Sequence, residues 1–77
     1  MPTVMRVRGY RFFFYSNEGS EPPHVHVERA EFTAEFWLRP VESAARTRFS
    51  GRELRLLQTI VELRRDLIDE AWDEYFG

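Results

Sequence analysis

Cysteine is absent from all 77 residues, so neither a disulfide nor a thiolate–metal site can staple the fold. Lysine is absent too, and every one of the 11 basic residues is Arg. Arg favours bidentate contact with carboxylate or phosphate, but codon bias in a GC-rich genome explains the imbalance more simply. No apolar run approaches the roughly 18–20 residues of a membrane span. The opening Met1–Arg6 lacks the basic start and apolar stretch of a secretory signal. The expectation is a cytoplasmic protein without a membrane segment. Four scattered glycines make no phosphate-binding loop. Ser16, Ser20, Ser43 and Ser50 sit in turn or cap contexts and pair with no base, so nucleophilic catalysis has no visible machinery.

Apolar residues are plentiful. The chain is 43% hydrophobic and 16% aromatic, with seven Phe, three Tyr and two Trp. A domain this small without a staple needs dense packing or a partner subunit. The first is supplied, and a homodimer stays open. Net charge is −2, which argues against a broad electrostatic surface for direct nucleic-acid binding. The charge is uneven: residues 1–29 hold four Arg against three Glu, and residues 30–77 hold seven Arg against ten acids.

Period-two alternation predicts strands. Thr3–Arg8 alternates, with Val4 facing opposite to Met5 and Val7, and Gly9 breaks it. Tyr10–Tyr15 follows with high β propensity; Tyr10, Phe12 and Phe14 share one face, and Arg11, Phe13 and Tyr15 the other. Residues 16–23 form a loop closed by Pro22 and Pro23. His24–Glu28 and Phe32–Leu38 then alternate and form a hairpin. Its valines must share a face with Phe32, Ala34 and Phe36. A two-residue turn at Arg29-Ala30 sets His24 opposite Glu35, while a four-residue loop sets His26 there.

Pro40 is placed to open a short helical turn over residues 40–45. Ser50 and Glu53 form a capping box, and Phe49 with Leu54 a hydrophobic staple. Downstream, Leu54, Leu57, Val61, Ile68, Trp72 and Tyr75 fall on one stripe, with Arg64 inside the apolar arc. Glu62, Asp66, Asp69 and Asp73 form an acidic ridge that reads as the solvated face. The predicted architecture is a single α+β domain over 1–77. An antiparallel sheet of three to four strands spans about 3–38, and one long amphipathic helix over about 51–76 packs on its valine face.

Candidate chemistry concentrates on His24-x-His26. Imidazoles two apart on a strand project from the same face, a spacing that strand-based metal sites use. Glu35, Glu28 or Glu21 would complete a divalent transition-metal site of two histidines and a carboxylate. Acid–base work by one histidine and plain hydrogen bonding to Glu35 and the loop are the competing readings, the last being the commonest fate of such pairs. Arg8-Gly9-Tyr10-Arg11-Phe12-Phe13-Phe14-Tyr15 resembles the aromatic signature of RNA-recognition motifs, but that fold needs a helix before this strand and there is no room for one.

Pro2-Thr3-Val4-x-Arg6, the run from Tyr10 to Glu18, Glu21-Pro22-Pro23-His24-Val25-His26-Val27 and Glu70-Ala71-Trp72-x-Glu74-Tyr75-Phe76 resemble the bacterial DUF4160 family, a domain of unknown function. Ala30 stands where that family often has Gly. The resemblance implies a small protein often encoded beside a second small protein, a layout like that of toxin–antitoxin pairs. On that basis a non-enzymatic or weakly enzymatic module that binds its cognate partner is expected. Its contacts would use Arg11, Tyr15, Asn17, Glu18, Glu21, His24, His26 and Glu28. The alternative is a small metal- or histidine-dependent nuclease or hydrolase, with His24, His26 and Glu35 as catalytic or metal-ligating residues.

Overall fold

A computed structural model of the chain describes residues 2–77. Five antiparallel strands lie in sequence order: β1 (Thr3–Val7), β2 (Tyr10–Phe13), β3 (His24–Arg29), β4 (Phe32–Leu38) and β5 (Val41–Ser43). Two helices follow, α1 (Gly51–Leu63) and α2 (Arg65–Phe76). The α+β class is as expected, with one more strand and one more helix than the sequence suggested.

Local chemistry sets each turn. The β1–β2 turn uses Arg8 and Gly9, with φ of 53° and 83°; two left-handed residues match the natural twist of a hairpin. A bulge between Thr3 and Met5 shifts the β1 register. It lets Val4 and Met5, expected on opposite faces, both pack against the core. The β3–β4 turn is a two-residue turn at Ala30-Glu31, one position beyond the expected Arg29-Ala30, and it pairs His26 with Glu35. That is the second of the two registers the valine pattern permitted. Ala30 holds a φ of 53°, a region that costs a side-chain-bearing residue about 1–2 kcal/mol.

Residues 40–45 correct the expected helical turn. Arg39 and Pro40, joined by a cis peptide bond, form the turn into β5, and Val41 pairs back with Leu38. Val41 is buried while Glu42 and Ser43 are exposed. A β-branched residue beside an open strand edge gains both a ladder and a core contact there, which a surface helical turn does not offer. Strand β2 also stops short of expectation, at Phe13. Beyond it the Phe14 amide donates to the Pro2 carbonyl and the Tyr15 amide turns toward Glu18.

The core lies between the valine face and the helices. Tyr10, Phe12, Phe14, Val25, Val27, Ala34, Phe36, Leu38 and Val41 meet Phe49, Leu57, Ile60, Val61, Ile68 and Trp72. Ser50 Oγ accepts the Glu53 amide as the N-cap. The Glu53 carboxylate does not close the box; it accepts from Tyr10 Oη at 2.7 Å and Arg29 Nη2 at 2.6 Å, latching α1 to the sheet. Phe49 packs edge-on to Tyr10 and Phe32.

The single long helix divides at Arg64, whose φ and ψ are −109° and 12°. The interruption is slight: the Arg64 amide still donates to the Ile60 carbonyl and the Ile68 amide to the Arg64 carbonyl, both at 3.0 Å. The helical phase carries through, so Val61 and Ile68, seven residues apart, are both buried. Arg64, inside the expected apolar arc, is exposed. Asp69, assigned to the solvated ridge, is instead paired with Arg39 at 3.1 Å.

Ala30→Gly relieves the left-handed strain at a cost in chain entropy. The expected outcome is a gain of about 0.5–1 kcal/mol in urea unfolding, equivalent to roughly 2–8 °C in Tm. An unchanged or lower stability would contradict this account of the turn.

Candidate functional site

The opposite face of the sheet carries the histidines, and the loop between β2 and β3 decides their surroundings. A backbone turn from Glu18 to Glu21 folds this loop back on itself. Gly19 then rests on α2: a Cβ built there would lie 2.7 Å from Phe76 Cδ1. Phe76 packs on Trp72 at 4.2 Å between ring centroids, and Trp72 lies 5.3 Å from His24. The missing side chain at Gly19 is thus what allows the loop to close down and deliver Glu18 to the sheet.

Glu18 stands at the centre. Its Oε1 accepts the Tyr15 amide at 3.1 Å, which ties the carboxylate to its own loop. Its Oε2 lies 2.7 Å from His26 Nε2 and 3.0 Å from His24 Nε2. Glu21 Oε1 and Glu35 Oε2 stand further from His24 Nε2, at 3.7 and 3.8 Å. On the other side of the His24 ring, Nδ1 donates to the Pro22 carbonyl at 2.9 Å. The contact of His24 Nε2 with Glu18 is close but not directed along the ring N–H, so this buried nitrogen has no hydrogen-bond partner among the described residues.

Aromatic groups wall the cluster. His24 is completely buried, packed among His26, Trp37 and Trp72. His26 stacks on Phe13 and meets Tyr15 edge-on at 4.6 Å. Loop and rings thus cover the His24 end of this face, while Tyr15, Glu21 and Thr33 around it are exposed.

Electrostatics bind the pair further. Burial pushes the Glu18 carboxyl up, but its contacts with His24, His26 and the Tyr15 amide outweigh that and hold it below its ordinary 4.5. Burial likewise pushes the His24 imidazole down, and the Pro22 carbonyl, Glu18 and the charge of Glu35 more than reverse it, raising it above 6.5.

The structure brings together five of the expected site residues: Glu18, Glu21, His24, His26 and Glu35. Arg11 and Glu28 form a separate pair nearby. Arg11 Nη1 bonds Glu28 at 3.0 Å, its Nε bonds Thr3 Oγ1, and its guanidinium covers Phe13. Tyr15 and Asn17 are exposed at the loop rim. His24, expected among the partner contacts, is fully buried. Glu35, expected to complete the histidine pair, stands 3.8 Å from His24 Nε2, farther than Glu18 at 3.0 Å. Trp72 and the Pro22 carbonyl are members that sequence reasoning missed. Trp72 was visible only as a core residue, and a backbone carbonyl has no sequence signal.

The comparison with family models places residues 9–73 within the family described as Domain of unknown function (DUF4160). The chain belongs to the DUF4160 family. No curated protein and no solved structure matches it. The expected resemblance is thereby established over β2 to α2, which includes the whole histidine cluster. Among the described residues no helix is long and apolar enough to cross a membrane.

The two shifts set a pH window for this DUF4160 domain. His24, raised in the folded state, contributes stability that is full below 6.5 and is lost as pH rises through the folded value. Glu18, lowered, contributes stability present above 4.5 and lost as pH falls through its folded value. In chelator-treated protein, Tm should peak between pH 4.5 and 6.5. Glu18→Gln should flatten both limbs. A Tm that climbs steadily from pH 6 to 8 contradicts the assignment.

Proposed function

We propose that this domain is a partner-binding module of a toxin–antitoxin-like two-gene pair, and that its docking surface is the outer side of the helices. The observation that carries this reading is a line of exposed leucines. Leu56, Leu63 and Leu67 are 36%, 78% and 45% exposed, while Ile60 between them is nearly buried. The spacing from 56 through 60 and 63 to 67 is that of a coiled-coil seam, and it is distinct from the Leu57, Val61, Ile68 and Trp72 stripe that faces the sheet. The fold takes up Ile60 from this outer row into its core and leaves Leu56, Leu63 and Leu67 uncovered.

A groove of about 390 Å³ lined by Val4, Leu67, Glu70, Ala71 and Glu74 continues the exposed stripe toward β1. Asp66, Glu70, Asp73 and Glu74, all exposed, give α2 an acidic excess over its exposed Arg65, whereas exposed Arg52 and Arg55 outnumber exposed Glu62 on α1. The matching occupant is an amphipathic helix of the partner, apolar along one side and basic along its flank. The exposed Tyr15 and Asn17 supply secondary contacts at most. Complete burial of His24 favours binding over the alternative hydrolase, because a substrate has no approach to that ring.

Co-expression with the product of the adjacent gene tests the proposal. The two proteins should co-purify, and Leu63→Asp or Leu67→Asp should abolish the complex while far-UV circular dichroism stays native. Independent migration of the wild-type pair overturns the reading. So does a complex indifferent to both substitutions, or a homodimer that occupies this face and excludes the second protein.

A further inference from the structure

We propose that Glu18, His24 and His26 form a binding site for one divalent first-row transition cation of the zinc class, which locks the 16–23 loop onto the sheet. This inference goes beyond partner binding and does not depend on it. One carboxylate oxygen of Glu18 and the ring nitrogens of both histidines lie within 4.8 Å of one another.

The protonation pattern of His24 carries the argument. A backbone carbonyl only accepts, so the 2.9 Å contact between Nδ1 and the Pro22 oxygen places a proton on Nδ1. In the neutral ring the Nε2 lone pair is then free. That arrangement, one ring nitrogen donating to a carbonyl and the other left bare, is how proteins orient a histidine that ligates metal. Here Nε2 is fully buried and, among the described residues, has no directed hydrogen-bond partner, so in the neutral ring nothing claims its lone pair. Three carboxylates converge on it, Glu18 at 3.0 Å, Glu21 at 3.7 Å and Glu35 at 3.8 Å. A lone pair ringed by acceptors is a place for a cation.

Donor chemistry selects the class. Two imidazoles and a carboxylate suit zinc and its neighbours, whereas magnesium and calcium prefer all-oxygen sites. At zinc–ligand lengths of about 2.0–2.1 Å, tetrahedral donors stand roughly 3.3 Å apart. Glu18 Oε2 therefore has to withdraw a few tenths of an ångström from its present 2.7 and 3.0 Å contacts. Glu21 or Glu35 stands ready as a fourth ligand, and aromatic walls exclude bulk water from the His24 side.

The test uses the untagged full chain, stripped with EDTA and dialysed. Zinc chloride should bind at one ion per chain and raise Tm by about 5 °C or more, since an ion that binds only the folded form stabilises it. Cobalt(II) should give the visible ligand-field bands of a low-coordinate nitrogen–oxygen site. Glu18→Gln and His26→Asn should each weaken zinc binding at least about tenfold, while Asp73→Asn, at an exposed helix position, should leave it unchanged. If His26→Asn does not fold, Glu18→Gln and the cobalt spectrum of the wild type decide the matter. The proposal is overturned if zinc leaves Tm unchanged or calcium raises it equally. It is also overturned if a folded Glu18→Gln binds zinc as the wild type does. Partner capture through Leu63 and Leu67 is read separately, so either proposal can fail alone.

Discussion

One carboxylate, that of Glu18, touches both histidines of β3 while its other oxygen accepts an amide of its own loop. Most of what is unusual in this small domain follows from that contact. The loop between β2 and β3 runs over residues 14–23, far longer than a hairpin requires, and closing it is entropically unfavourable. Glu18 fastens it at one side and Gly19 against Phe76 at the other. The closed loop in turn shuts His24 away from water. A charged hydrogen bond in such a setting contributes about 1.5–3 kcal/mol, a large share of the stability of a chain this short.

The other face of the sheet is more ordinary, and it explains why the histidine face can be specialised. Valines, phenylalanines and the inner helix stripe form one continuous core. Glu53 pins the start of α1 to Tyr10 and Arg29, and Asp69 holds α2 to Arg39. With both helices anchored by core contacts and these two latches, the outer stripe through Leu56, Leu63 and Leu67 is not needed for folding. Apolar surface of that kind is retained where something else covers it. The two proposals thus use two separate regions, the loop-covered histidines and the outer helix face.

How much of this was legible in sequence varied with the range of the interaction. Strands β1, β3 and β4 and the valine-facing core followed from alternation alone, as did the start of α1 from Ser50. The facing of β3 and β4 held because a one-residue slip would have exposed every buried valine, while in β1 the bulge turned both Val4 and Met5 to the core. The register of the β3–β4 hairpin narrowed to two options, and the turn chemistry did not distinguish them. It depended on Ala30 accepting a left-handed conformation that composition argues against. Strand β5 was hidden because three residues beside a proline carry no period. The interruption at Arg64 leaves the helical phase intact, and periodicity sees phase alone. The histidines were found by spacing. Their true partner, Glu18, came from a loop, where no periodic rule fixes direction, while Glu35 stood across the ladder as the visible but more distant candidate.

The organisation of this site rests on the coupling between Glu18 and the histidines, and a double-mutant cycle measures that coupling directly. Urea unfolding of Glu18→Ala, His26→Ala and the double variant at pH 6 in chelator would supply the four stabilities. The account predicts an interaction energy of about 1 kcal/mol or more, because the two groups share a contact that neither replaces. Additivity of the two substitutions within about 0.3 kcal/mol would contradict it, and would mean that the loop closes over the sheet without the bridge.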